Sequence, residues 1–447
     1  TVSSENSAAP ANSVRKESSP SQLKITDLRV TQILPGRWIV RIDTNQGLSG
    51  LGEIRDQASP TYALMLKSRI LGENPCHIDR IFRKLKQFGN HGRQAGGVVA
   101  IEMACCDLAG KAWGVPCWQL LGGQFRNRVR LYADTPFEES PEEMARKLQQ
   151  RMDAGYTFLK MDLSLRVLKN VPGALSCPEM GDDIPFQQYG PGSANIEHPF
   201  TGIRITERGL AKLAEYVAVV RRRIGWEIPL AADHFGHFCI EDGIKLAKAL
   251  EPFNLAWLED MVPWKYTDQY LRLRDACNTP VLTGEDIYLK EGFADLFDRK
   301  AIAICHPDLA TAGGLFETKK IGDLAMERGI AMALHMAGSP IHLLASVHCA
   351  AATENFLALE HHSFESPHYE DLVVGIPKPF MDETGHMAVP DSPGLGIELN
   401  AEAVRESLSR QGLDPVQDYF PASDEWNDER AHDRLWSFRT RDQHTIG

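Results

Sequence analysis

From Pro229 onward the chain repeats one pattern: a short apolar run, an ionisable residue within three positions of its end, then a helical stretch. The runs are Pro229–Ala232, Leu255–Leu258, Val281–Thr283, Ile302–Cys305, Ala331–Leu334 and Phe356–Leu359. The residues that follow them are Asp233, Glu259, Glu285, Asp308, His335 and Glu360, separated by 26, 26, 23, 27 and 25 positions. Each interval holds about one strand and one helix. Strands that are apolar on consecutive positions are buried on both faces, and strand–helix alternation makes their sheet parallel. Two upstream runs, Leu131–Asp134 and Tyr156–Met161, bring the number to eight, which closes a barrel. The predicted fold class is therefore α/β, a modified TIM-like (β/α) barrel. In such a barrel the C-terminal strand ends converge on one mouth, so the six ionisable residues would face one another. Unrelated surface groups would rarely fall in that register.

The remaining segments divide around the barrel. Residues 1–21, rich in Ser, Ala, Asn and Pro, cannot bury enough apolar surface to fold and read as a disordered tail. Lys24–Leu34, Arg37–Thr44 and Leu48–Ile54 have strand character, with turn chemistry in Asn45, Gln46 and Gly47, so they predict an antiparallel meander. Helical patterns run from about Ser59 to Phe88. A clear helix spans Gly97–Trp113, with Asp107 and Lys111 as an i,i+4 pair and Gly114 and Pro116 to stop it. An α+β capping domain is thus expected over 22–125 and the barrel over 126–370. Residues 371–447 are expected to complete the capping domain and end in a tail. Ser140, Pro141 and Glu143 read as N-cap, N1 proline and capping-box acid of a barrel helix ending at Gly155. One interval breaks the period: 71 positions separate Asp162 from Asp233. The Pro- and Gly-rich stretch 163–206 within it reads as an insertion at the mouth, a lid or specificity element.

Composition excludes some partners. A formal net charge of −12 argues against nucleic acid and against an anionic membrane surface. It leaves an anionic substrate open, because one divalent cation can dominate a local field. No stretch approaches the roughly 20 apolar residues of a bilayer span. Nine scattered cysteines without a C-x-x-C pair speak against a disulfide framework or zinc ribbon and suit a reducing, cytoplasmic setting. The opening stretch lacks the apolar core of a signal peptide, although the remainder of a cleaved one would look similar.

Asp233, Glu259 and Glu285, on neighbouring strands, would make a hard oxygen cage suited to one Mg²⁺ per subunit. Salt bridges to barrel lysines or arginines are the structural alternative. Their frames are Leu230-Ala-Ala-Asp233, Trp257-Leu-Glu259-Asp-Met-Val-Pro263 and Thr283-Gly-Glu285-Asp-Ile-Tyr288. Further motifs are Ala100–Lys111 with Leu120–Gly123, His306-Pro-Asp308 followed by Gly313-Gly314, and Pro390–Gly396. Over about 23–400 the chain resembles the enolase superfamily, in its mandelate racemase and muconate lactonising branch.

The resemblance implies that Asp233, Glu259 and Glu285 bind metal at the third, fourth and fifth barrel strands. It implies a dyad of Asp308 and His335, in which the carboxylate fixes the imidazole tautomer and poises His335 as general base. Glu360, ending the eighth strand, would bond the substrate carboxylate or its enediolate, donating if protonated; an ion pair closing the barrel is the alternative. Many relatives carry Lys-x-Lys on the second strand. Here it reads Lys160-Met161-Asp162. Lys160 can neutralise the enediolate, while Asp162 stands where the opposite-face base would be. Asp162 could bind a hydroxyl, act as acid or base, or pair with Lys160. The D-x-H arrangement of some sugar-acid dehydratases is not met, since Phe235 follows His234, and His237 is left as a candidate acid. His342, His348, His361 and His362 read as structural.

The expected activity is removal of the proton alpha to a carboxylate, followed by loss of the beta-hydroxyl from a sugar acid of aldonate or aldarate type. One visible base and the missing second lysine favour this lyase chemistry over a racemase, epimerase or cycloisomerase. A metal-binding ligand sensor without catalysis is the reading from another class. The expected partners are a small carboxylate substrate and further copies of the chain in a homo-oligomer.

Overall fold

The computed structural model describes residues 18–89, 92–176, 204–234, 239–413 and 418–429. Three antiparallel strands open it, β1 Ile25–Leu34, β2 Arg37–Thr44 and β3 Ser49–Glu53, adjacent in that order. The helix Gly96–Trp113 lies tightly on β3 because Gly50 and Gly52 have no side chain. A Cβ at Gly52 would stand 1.9 Å from the Ala100 carbonyl oxygen, and one at Gly50 2.2 Å from that of Ala104. The expected Asp107–Lys111 pair forms at 2.9 Å. Asp107 also accepts from the amides of Leu51 and Leu395, at 3.0 and 2.9 Å, so it ties the helix to the sheet and to the C-terminal segment. Gly114 ends the helix in the left-handed conformation. The tail expectation reached too far: Ser18 Oγ donates to the Ala112 carbonyl at 2.7 Å, and Pro20–Gln22 forms a 3-10 turn. Residues 1–17 lie outside the described residues.

Eight parallel strands close a barrel: β4 Arg128–Ala133, β5 Leu159–Asp162, β6 Leu230–Asp233, β7 Leu258–Glu259, β8 Val281–Thr283, β9 Ile304–Cys305, β10 Ala331–Leu334 and β11 Phe356–His361. Pairing of Leu359 with Leu131, Glu360 with Tyr132 and His361 with Ala133 joins β11 to β4. β8 and β10 coincide with their apolar runs, and the boundaries of the other strands differ from theirs by up to three residues. Backbone pairing carries on through Asp162, Asp233 and Glu259 after the apolar run has ended. One inward layer combines Tyr132, Phe158 and Trp257 with Ala231, Leu282, Ile304, Ala333 and Ala358. The three aromatic rings meet with centroids 4.8–5.6 Å apart, and the alanines opposite make room for them. This layer is the floor of the mouth.

The helix after β4 spans Pro141–Asp153, two residues short of expectation, and Ser140 Oγ accepts from the Glu143 amide at 3.3 Å. Glu143 turns its carboxylate to Arg146 at 2.8 Å instead of reaching back, so only half of the capping box forms. The ends of the insertion meet each other: Leu175 bridges Ile205, Ser176 N donates to Arg204 O at 2.9 Å and Thr206 N to Ala174 O at 3.0 Å. The segment 177–203, on which the lid expectation falls, lies outside the described residues, as does His237. After β11, His386–Ala388 adds antiparallel to β4, and the helix Ala401–Arg410 returns to β1, where Ser407 Oγ donates to Ile33 O at 2.6 Å. All eight cysteines among the described residues are free, and no described helix is long and apolar enough to cross a membrane.

Candidate active site

Every barrel strand delivers an ionisable side chain to the mouth: Asp134 just after β4, Lys160 and Asp162 on β5, Asp233 on β6, Glu259 on β7, Glu285 after β8, Asp308 after β9, His335 after β10 and Glu360 on β11. A cavity of about 250 Å³ opens there. Its walls include Lys160, Asp162, Asp233, Glu285 and His335, and the capping domain adds Arg37, Arg55, Gln57 and Arg93. The floor holds the carboxylates: Trp257 Nε1 donates to Glu259 Oε2 at 2.9 Å, and His306, 2.7 Å from the Tyr132 hydroxyl through Nε2, places Nδ1 3.1 Å from Glu259 Oε1.

Glu259 acts on both Asp233 and Glu285, with Lys160 beside the first two and Arg55 beside the third. Burial, then the neighbouring Glu259, pushes the Asp233 carboxyl well above its ordinary range. Burial and Asp286 do the same to Glu285. Glu259 alone stays low, at about 2, because His306 and Lys160 overcome the effect of its burial. Ligand atoms of Glu259, Glu285 and His306 lie within 4.8 Å of one another. Because His306 already faces Tyr132 and Glu259, the donors left for a cation are carboxylate oxygens. Buried carboxyls that cannot all ionise by themselves fit a divalent cation. The residues present fit a metal.

Beside this cage stands the dyad. His335 Nδ1 is 2.6 Å from Asp308 Oδ2, which also faces Arg55 Nη1 at 3.1 Å. Despite full burial, Arg55 and His342 hold Asp308 well below the carboxylate range. Burial lowers the His335 pKa, and Arg55 adds to this against the pull of Glu360 and Asp308. His335 is therefore a neutral imidazole held by a carboxylate, with Nε2 free toward the mouth, 3.3 Å from Glu285 Oε2 and 3.6 Å from Glu360 Oε2.

Lys160 has the opposite character. Its Nζ lies 2.5 Å from Glu360, 3.4 Å from Glu259, 3.5 Å from Asp134 and 3.7 Å from Asp233. Although burial disfavours the charge, Glu259, Glu360 and Asp134 raise its pKa well above the lysine value. It is a fixed ammonium and no base. Glu360, against its burial, is held well below its usual range chiefly by Lys160, with His362 adding to it, so it accepts hydrogen bonds and does not donate as a protonated acid would. Burial, then Asp134, push the pKa of Asp162 well up against the pull of Lys160 and His362, and its carboxyl stands on the cavity wall.

Three further residues belong to the site: Asp134, Arg55 and His362, the last expected to be structural. His362 lines the cavity with its side chain 31% exposed, Nδ1 3.3 Å from Asp134 and Nε2 3.2 Å from Glu360. Strand alternation carried two positions past Glu360 could have found it. Asp134 follows an apolar run as the other site acids do, so the same rule applied to β4 would have found it. Arg55 has no such signal: it comes from the capping domain and meets Asp308 only in three dimensions. His348 and His361 are buried and bonded away from the mouth, as expected of structural residues. His342 lies 3.5 Å from Asp308 and supports the dyad.

A parallel barrel with its ionisable residues at the C-terminal strand ends, and an α+β domain over them, is the architecture of the enolase superfamily. Residues 143–404 match the family described as Enolase C-terminal domain-like, and residues 12–122 match the Mandelate racemase / muconate lactonizing enzyme N-terminal domain. The chain belongs to the mandelate racemase and muconate lactonizing enzyme family. It is 33% identical over 397 residues to the D-xylonate dehydratase of Haloferax volcanii, covering 86% of this chain and 89% of that one. To the D-galactonate dehydratase of Verminephrobacter eiseniae it is 28% identical, covering 86% and 94%. Among solved structures, the mandelate racemase/muconate lactonizing enzyme-like protein of Rubrobacter xylanophilus superposes with a TM-score of 0.74 at 31% identity, covering 86% and 98%. The 3,6-anhydro-D-galactonate cycloisomerase of Zobellia galactanivorans gives 0.69 at 25%, covering 86% and 99%.

Proposed function

We propose that the protein is a metal-dependent hydro-lyase that dehydrates a sugar acid of the xylonate or galactonate kind to a 2-keto-3-deoxy acid. Asp233, Glu259 and Glu285 would hold one Mg²⁺, which their all-oxygen donor set suits. When bound, that ion supplies positive charge to the substrate carboxylate and lowers the cost of ionising C2. His335 Nε2 removes the C2 proton, and Asp308 fixes the tautomer that exposes this nitrogen and stabilises the imidazolium formed. Lys160, already charged in the free site, lies ready for the second negative charge of the enediolate. Glu360 orients Lys160 and bonds substrate hydroxyls, and Asp162 offers a carboxyl as a hydroxyl partner. Arg37, Gln57 and Arg93 present donors to the far end of a polyhydroxylated chain.

The observation that carries the reading is the contrast between His335 and Lys160. His335 is bonded to Asp308 through Nδ1 and turns Nε2 to the mouth, while Lys160 Nζ is enclosed by Glu360, Glu259, Asp134 and Asp233, which suits abstraction from a single face followed by elimination, and not the two-base exchange of a racemase. Incubating the protein with a panel of acid sugars and Mg²⁺ should give a keto acid with at least one, blocked by EDTA and restored by Mg²⁺. An isomer of the substrate without keto acid would replace dehydration by epimerisation or cycloisomerisation.

A further inference from the structure

Resting on the dehydratase reading, we propose that His362 is a second catalytic residue, the general acid that protonates the hydroxyl leaving C3. The two histidines after Glu360 part company in space. His361 is buried and bonded to Tyr156 and Ser363, and burial takes its pKa down to about 3. His362 instead turns into the cavity, between Asp134 on one ring nitrogen and Glu360 on the other. Against the effect of burial, these two carboxylates raise its pKa to about 9, while Lys160 opposes them. His335, following β10, and Asp162 from β5 complete its ionisable surroundings. His362 therefore meets substrate as an imidazolium.

Its ring centre is 5.9 Å from that of His335, inclined at 62°. A base and an acid each need to reach within about 3 Å of their own atom, so two rings this far apart can serve neighbouring substrate carbons. His335 faces the single carboxylate of Asp308 through Nδ1, whereas His362 stands between two, Asp134 and Glu360, the separation of environments that assigns base and acid. Ligand atoms of His335, Glu360 and His362 also lie within 4.8 Å of one another. Lys160 Nζ, 2.5 Å from Glu360 Oε1, already places a fixed positive charge there, so the trio is better suited to holding a proton than a metal. The same contact keeps Glu360 paired when His362 Nε2 turns to substrate.

The step balances. His335 Nε2 takes the C2 proton and leaves its electron pair in the enediolate. That pair forms the C2–C3 double bond as the C3–O bond breaks, and the His362 Nε2 proton goes to the departing oxygen, which leaves as water. The enol tautomerises to the keto acid, solvent takes the proton from His335, and a proton from solvent returns His362 to the imidazolium.

His362→Asn and His362→Gln should each lower dehydration by about 10²–10⁴-fold, the worth of a positioned acid. Solvent deuterium should still enter C2 of recovered substrate, which also shows that the variants are folded. A 3-deoxy-3-fluoro analogue, whose leaving group needs no proton, should release fluoride from the variants at close to the wild-type rate. Loss of exchange in parallel with dehydration would overturn the proposal, as would fluoride release slowed as much as water loss. Wild-type protein that neither exchanges nor dehydrates any sugar acid would instead overturn the dehydratase reading on which it rests.

Discussion

Replacing Asp308 by Asn probes the dyad with little change of shape. In the wild type one carboxylate oxygen lies 2.6 Å from His335 and 3.1 Å from Arg55; the other accepts from the Ala310 amide at 2.6 Å and stands 3.5 Å from His342. The amide keeps the volume and loses the charge. An amide can present its NH₂ to His335 and select the wrong tautomer, and it cannot stabilise the imidazolium, so turnover should fall by about 10²–10⁴-fold. Arg55, fully buried, loses one of its three carboxylate neighbours. Breaking a buried pair costs about 3–5 kcal/mol when a charge is left alone; with Asp56 and Glu285 still facing Arg55, a cost of about 3 kcal/mol is expected. Against a typical stability of about 5–15 kcal/mol the variant stays folded, with a lower melting temperature. The pH dependence follows from the depressed pKa of Asp308. Its contribution is complete above the unfolded carboxylate value of about 3.9 and is lost as pH falls through the lower folded value. The melting-temperature gap between wild type and Asp308→Asn should therefore narrow in acid. Rates of keto-acid formation, C2 deuterium exchange and thermal melts from neutral to acid pH test this together. Exchange at the wild-type rate in Asp308→Asn would refute the role of the dyad.

The metal cage predicts that Mg²⁺ raises the melting temperature of the wild type, by about 2.7 kcal/mol of stability at a hundredfold excess over Kd. Asp233→Asn and Glu259→Gln should abolish both that shift and turnover, and a shift of wild-type size in either variant would refute the ligand assignment. Lys160→Met should lower kcat by about 10²–10³-fold through lost stabilisation of the enediolate; unchanged kcat, measured with C2 exchange, would place that counter-charge elsewhere.

Much of the barrel was legible because its constraints are local and repeated. Each apolar run must be buried on both faces, and each is followed by a helix long enough to bring the chain back, so the period near 26 residues records the topology. The strand-end rule placed Asp233, Glu259, Glu285, Asp308, His335 and Glu360 at one mouth before any geometry was known. It missed Asp134 because the rule was not carried back to β4. His362 was missed because a pair of adjacent histidines looks alike in one dimension, while strand alternation sends one to the core and the other to the cavity. The tail expectation erred at residues 18–21, since composition cannot reveal that Ser18 finds the end of a helix at Ala112.

What the sequence determined, then, is the set of ionisable groups and the register that brings them together, because strand period and burial follow from the order of residues. Their charge states were decided by the tertiary structure alone. Glu360 reads in the sequence as an acid that could be neutral, yet Lys160 and His362 keep it a carboxylate. Asp162 reads as a hydroxyl binder, an acid or base, or a partner for Lys160, and its burial beside Asp134 raises its pKa well above the carboxylate range. Arg55 carries no signal in the sequence, yet it crosses from the capping domain to lock Asp308. A protonation state depends on burial and on every charge within a few ångströms, and those neighbours come from strands and domains far apart in the chain.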